Sequence, residues 1–238
     1  MARARGRKRA GLRVWLRRAF WTCVVLGAIP TVLTLLYWPP FVHPISARMV
    51  GEVVTLNGYD RRWVPIDDVA PALVKSVIMS EDGQFCWHRG VDFAELSAVV
   101  QDALEGEGVR GASTIPMQTV KNLYLWHRPF GTIRKVIEIP FAIYMDVVLS
   151  KRRIMEIYLN IAEWGPGIYG IEAASQYHFG KSAKDLSRRQ ASLLAVTLPN
   201  PIARNPAKPG NGLKRLAANV EKRVAQAGTT QFNCIGFK

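Results

Sequence analysis

The stretch "SEDGQFCWHRGVDF" (residues 80–93) puts Glu81, Asp82, His88 and Asp92 within twelve residues, with Phe85 and Trp87 between them. On a helix, Glu81, Phe85 and His88 fall at i, i+4 and i+7 and share one face. A carboxylate set among aromatic neighbours loses hydration, and its proton affinity rises. That tunes a general base toward working pH. Spacing alone equally allows a capping or ion-paired Glu at a helix end, so both readings stay open here.

The residues on either side carry helical periodicity. Ala72, Val74, Val77, Ile78 and Met79 form an apolar stripe running from Pro71 into Glu81. A second helix is predicted over 93–104. Ser113 and Thr114 are helix-capping residues, and Pro116 suits the first turn of the helix after them. The segment 133–164 reads as long helix interrupted near Pro140 and Ser150. "GPGIYG" (165–170) reads as a turn, "IEAASQYHFG" as a helix stopped by Gly180, and Ser187 as the cap of the next. A last helix is predicted over 213–226. Repeats are absent and strand-like alternation is scarce, so the expected fold class is mainly α.

The chain has 238 residues and a formal net charge of +14. Residues 1–18 hold eight basic side chains and no acid, so over half of the excess lies in that tail. Residues 20–38, "FWTCVVLGAIPTVLTLLYW", are uncharged. As a helix they would reach roughly 28 Å, about the hydrocarbon thickness of a bilayer. Aromatic residues flank both ends, and the preceding cations favour a cytoplasmic N-terminus. A cleaved signal peptide is the rival, but "WPPFVHP" follows in place of a small-residue cleavage site. The expected layout is a basic tail (1–19), a transmembrane anchor (20–38), a Pro/Gly-punctuated linker (39–64) with one short strand over 51–57, and a helical domain (65–238). Because topology accounts for the tail charge, no nucleic-acid partner is expected. Of three cysteines, Cys23 lies in the apolar segment; whether Cys86 and Cys234 pair is left open. The four histidines show no metal-ligand spacing with the cysteines, so no metal site is expected.

Further charged motifs lie on the predicted helices. Ser113, Thr114, Gln118 and Lys121 at a helix N-terminus suit either an anion or sugar site or a well-capped helix with a surface lysine. Arg134 precedes Glu138 by one helical turn, the weaker order for surface support, which favours a packed or functional pair. Glu156 and Asn160 face the same way among Ile154, Ile157 and Tyr158. Polar groups there are costly unless hydrogen-bonded, so a structural network is expected.

In order and spacing, "EDGQFCWHRGVD", "GASTIPMQTVKN", "RKVIE" and "KRRIMEIYLNIAEWG" resemble the four signatures of the peptidoglycan glycosyltransferases, glycosyltransferase family 51. With one anchor and one domain, the match is nearest to the monofunctional biosynthetic peptidoglycan transglycosylases. The resemblance spans roughly residues 65–201. It implies a lysozyme-like helical domain outside the cell inner membrane that polymerises lipid II. By that resemblance Glu81 is the general base and Glu138 the second acidic position. Ser113, Thr114, Gln118, Lys121, Asn122, Arg134, Lys135 and Lys151 line the donor side and receive the diphosphate. Asp82 and His88 shape the first motif. No cofactor is implied, although a divalent ion assists some relatives. Partners implied are lipid II, undecaprenyl-diphosphate-linked glycan, the membrane and other cell-wall proteins. The chain departs from the family where Pro116 and Met117 precede Gln118, and where Arg128 and Pro129 stand at the position of a family arginine.

Overall fold

A computed structural model describes residues 2–105, 111–125 and 131–236. Helix α1 (Ala2–Leu36) contains a 24-residue candidate span, Arg13–Leu36, the one segment among the described residues long and apolar enough to cross a membrane. Pro30 lies inside it. Where the sequence reading places a linker strand, the chain instead forms helix α2 (Ala47–Val54). Its valines favour a strand by propensity. Ser46, however, accepts from the Met49 amide as an N-cap, and Met49 is fully buried. Capping and burial override the local preference.

Helix α3 (Pro71–Glu81) starts with proline at its first position, and α4 (Phe93–Leu104) is capped by Asp92, whose carboxylate accepts from the Glu95 amide. Thr114 caps α5 (Ile115–Tyr124). Helix α6 (Gly131–Val148) runs through Pro140 without a break, contrary to the expected interruption there. The chain does break before Ser150, which caps α7 (Lys151–Ile161). Helix α8 (Ile171–Phe179) stops at Gly180 in the left-handed conformation, and α9 (Arg188–Ala195) opens with a full capping box of Ser187 and Gln190. Helix α10 (Asn211–Gln226) precedes a 3₁₀ segment, Thr229–Ile235.

The expected turn at 165–170 is part of a small sheet. Strands β1 (Asp60–Arg61), β2 (Glu163–Gly165) and β3 (Ile168–Tyr169) lie in the order β1-β3-β2, with β3 parallel to β1 and antiparallel to β2. One contiguous apolar core joins α3, α5, α7 and α8, with Ile78, Ile115, Met117, Ile154, Ile157 and Trp164 among its fully buried members. Helix α7 is buried along its whole described length after Arg152. Its polar residues are satisfied as the sequence predicts. Glu156 pairs with Arg153 and accepts from the Ile66 amide. Asn160 bonds both the amide and the carbonyl of Val64, at 2.9 and 2.8 Å.

Cys86 and Cys234 form a disulfide that closes the question left by spacing. It fastens the Thr229–Ile235 segment, with buried Phe232 and Ile235, to the stretch that follows Glu81.

Candidate active site

Helix α3 ends at Glu81, because the next residue, Asp82, leaves helical geometry. The expected common helical face of Glu81, Phe85 and His88 therefore does not form. The reason lies in what Asp82 bonds. Its buried carboxylate accepts from the Ile115 amide at 2.8 Å and contacts His88 Nε2 at 2.9 and 3.0 Å. Free amides at the α5 N-terminus outcompete continuation of α3.

The same stretch ties three other motifs together. Gly90 has φ +82°, and a Cβ there would sit 2.4 Å from the Ala142 carbonyl of α6, so only glycine fits. The Gly90 carbonyl accepts from the Thr114 hydroxyl at 2.6 Å. Lys151 donates to the His88 carbonyl at 2.8 Å and pairs with Asp146 at 2.6 Å, its ammonium lying over the Phe85 ring. The crowded acids and aromatics of residues 80–93 are thus a hub that sets α3, α5, α6 and α7 against one another. Glu81 is the acid left facing the site.

Gln118 donates to Glu81 Oε2 at 3.1 Å, and Ser80 to Oε1 at 3.3 Å. The Gln118 side-chain carbonyl is oriented by the Tyr158 hydroxyl at 3.1 Å, which leaves its amide free to face Glu81. Burial pushes the Glu81 carboxyl above its ordinary range; the Gln118 and Ser80 bonds and the positive charges of Lys121 and Arg204 oppose that push. Lys121 is driven the other way by burial, with Glu138 and Glu81 favouring its charged form and Arg134 disfavouring it. A carboxyl group of raised proton affinity therefore shares one electrostatic neighbourhood with Lys121, Arg204 and, through Lys121, the Arg134–Glu138 pair. Glu138 is buried and ion-paired with Arg134 at 2.7 Å.

Gln118, Lys121, Asn122 and Tyr158 line a cavity of about 280 Å³ together with Arg48 of α2 and Asn200. Arg48 is held there by Glu163 at 2.7 Å. The structure thus gathers Glu81, Gln118, Lys121, Asn122, Arg134 and Glu138. Thr114 acts as a cap. Ser113 offers its carbonyl to Gln118 at 3.4 Å, and Lys135 is half-buried beside Arg134. Lys151 is bonded to Asp146 and the His88 carbonyl and is not among the residues that line this cavity. Arg128 lies outside the described residues. Sequence reasoning passed over Tyr158, Arg48 and Arg204. Tyr158 stands inside the fourth quoted motif. Arg48 lies in the segment read as linker and Arg204 in the Pro/Gly-rich stretch "NPIARNPAKPGNG" before the last predicted helix, where periodicity carries no signal.

The profile of the family described as Transglycosylase matches residues 47–226. The chain belongs to that family. It is 68% identical to the "Biosynthetic peptidoglycan transglycosylase" of Mesorhizobium japonicum over 226 residues, covering 95% of this chain and 96% of the relative. Proteins of the same description are 58% identical in Rhizobium leguminosarum bv. trifolii, covering 94% of this chain and 96% of the relative, and 56% identical in Brucella suis, covering 86% and 91%. The matched region begins at α2, so the helix that replaces the expected linker strand falls within it.

Proposed function

We propose that this transglycosylase polymerises lipid II into glycan strands, acting at the cell inner membrane with its N-terminus cytoplasmic and residues 65–238 on the outer face. The N-terminal apolar helix supports an anchor, and the eight cations before its uncharged stretch support that orientation. In the reaction, Glu81 takes the proton of the acceptor's N-acetylglucosamine 4-hydroxyl. The freed oxygen attacks C1 of the donor N-acetylmuramic acid, the C1–O bond to phosphate breaks, and undecaprenyl diphosphate leaves with the electron pair. A single displacement inverts the anomeric centre from α to β.

The observation that carries this reading is the pairing of a desolvated Glu81 with Lys121 and the oriented amide of Gln118, with Arg134 acting on that lysine. The base must hold a proton transiently, and the leaving diphosphate gathers charge as the bond breaks. Cations fixed before that moment lower the barrier without reorganising. Ser113, Asn122 and Lys135 complete the donor side, and Thr114 serves by capping α5. Lys151 serves by holding the His88 carbonyl, and Glu138 by holding Arg134.

The test is conversion of lipid II to glycan by the purified protein in detergent, with and without magnesium. The Glu81→Gln variant is expected to lose about 10²–10⁴-fold in turnover, the span of general-base contributions, while still binding lipid II. Unchanged polymerisation by that variant would refute the assignment of the base.

A further inference from the structure

Where α1 ends, the sequence reads "YWPPFV" (residues 37–42). Pro39 and Pro40 have no amide proton and cannot extend the helix, so the carbonyls of this stretch lack helical partners. One side chain collects them. Arg153 on α7 donates from Nε to the Tyr37 carbonyl at 2.9 Å. Its terminal nitrogens donate to the carbonyls of Pro39 at 3.0 Å, Pro40 at 3.5 Å and Val42. The remaining N–H reaches Glu156. All five donors of a buried guanidinium are thus engaged, four of them on the stretch that leaves α1. The next turn is held too. The His43 ring stacks on Trp63 with centroids 4.4 Å apart, and the Arg153 guanidinium lies 5.6 Å from the centre of the same indole.

We propose that Arg153 is a positioning residue for polymerisation: by tying the exit of the anchor to α7, it fixes the height of Glu81 above the bilayer. The inference rests on the polymerase reading above, with α1 as the anchor. Two links carry it. The first runs from Arg153 toward the site. Tyr158 stands five residues further along the same buried helix and orients Gln118, which donates to Glu81. The second is the length of chain that Arg153 restrains. Residues 37–45 separate α1 from the Ser46 cap of α2, and as a flexible linker they would spread over roughly 17 Å. The bonds from Thr34 to Tyr124 and from Tyr144 to the Thr31 carbonyl lie within α1 and do not reach residues 38–45. A donor whose tail stays in the bilayer presents its diphosphate at one depth. A base misplaced by about 1 Å loses up to about 100-fold in rate, so height is worth fixing. The choice of arginine fits that role. A lysine would keep the charge beside Glu156, but its three donors sit on one atom and cannot span four carbonyls.

The experiment uses the full chain in vesicles of phosphatidylethanolamine and phosphatidylglycerol, with Arg153→Lys beside the unaltered protein. Two donors of one headgroup are compared: lipid II embedded in the same vesicles, and a water-soluble analogue carrying a few isoprene units. The expected result is about a tenfold loss of kcat for embedded lipid II, with less than about a twofold change for the soluble donor. A residue that only supports the fold would lower both alike, so equal losses, or none on either, would overturn the proposal. A second measurement keeps Arg153 in place. A fluorophore at exposed position 214 on α10 reports its distance to acceptor lipids by energy transfer, and one narrow distance is expected. A broad spread in that protein, or the same narrow distance once a folded Arg153→Lys variant carries the label, would reject the height assignment. If the unaltered protein polymerises neither donor, the functional reading fails, and the distance measurement still decides whether the height is fixed.

Discussion

Breaking the Cys86–Cys234 bond isolates an effect on the unfolded chain, because the native contacts around it persist. The bond spans 148 residues. In the chain-entropy description, a loop of that length removes about 17 cal/mol/K from the unfolded ensemble, or about 5 kcal/mol at 25 °C. Measured disulfides usually return less, so a loss of about 3–5 kcal/mol on reduction is expected. Phe232 and Ile235 are buried, and Arg152 donates to the Ile235 carbonyl at 2.7 Å, so the tail stays docked when the bond opens. For a chain of this size each kcal/mol moves Tm by about 2–4 °C, which places the drop near 10 °C. The assay is a thermal melt in detergent followed by circular dichroism, with and without reductant, beside Cys234→Ser. The variant should match the reduced protein and ignore reductant. A shift under about 2 °C on reduction would mean that the tail contacts already restrain the unfolded chain, and the loop-entropy reasoning would fail.

Two other outcomes follow from the site and its support. Gln118→Met removes a bond to the ionised form of Glu81 without removing burial, so the proton affinity of Glu81 rises further. The acid limb of the kcat/KM profile for lipid II should move to higher pH; a limb that stays put or moves down would show that Gln118 does not stabilise the carboxylate. Asn160→Ala leaves the buried amide and carbonyl of Val64 without partners and should cost about 2–4 kcal/mol, read as a lowered Tm in the same melt.

What could be read from the sequence was mostly short-range. Thr114, Ser150, Ser187 with Gln190, and Gly180 each mark a helix boundary through bonds to residues within four positions, and each stands where its chemistry predicts. The signal failed where two local preferences competed. Residues 51–57 carry strand-favouring valines, yet Ser46 and the burial of Met49 decide for helix, and burial is not a local property. Residues 80–93 failed for the same reason: their helical spacing is genuine, but the amide that draws Asp82 out of the helix belongs to Ile115, 33 positions away. Periodicity cannot weigh a partner at that distance.

The site follows the same division. Glu81, Gln118, Lys121, Arg134 and Glu138 could be named because each lies in a motif of fixed spacing. Their working relation could not, because it depends on Tyr158 orienting Gln118 from 40 positions away and on Arg204 acting on Glu81 from a Pro/Gly loop. The consequence for mechanism is directional. Burial alone would leave Glu81 protonated more readily and so less available as a base; cations alone would hold it ionised but weakly basic. Burial and the cations together place it between those limits. Under the proposed function, the same Lys121 that favours the ionised Glu81 would receive the departing diphosphate. Negative charge growing on that phosphate would oppose the lysine's effect on Glu81 and raise the carboxylate's proton affinity, so proton removal and departure of the lipid carrier would be coupled through one lysine.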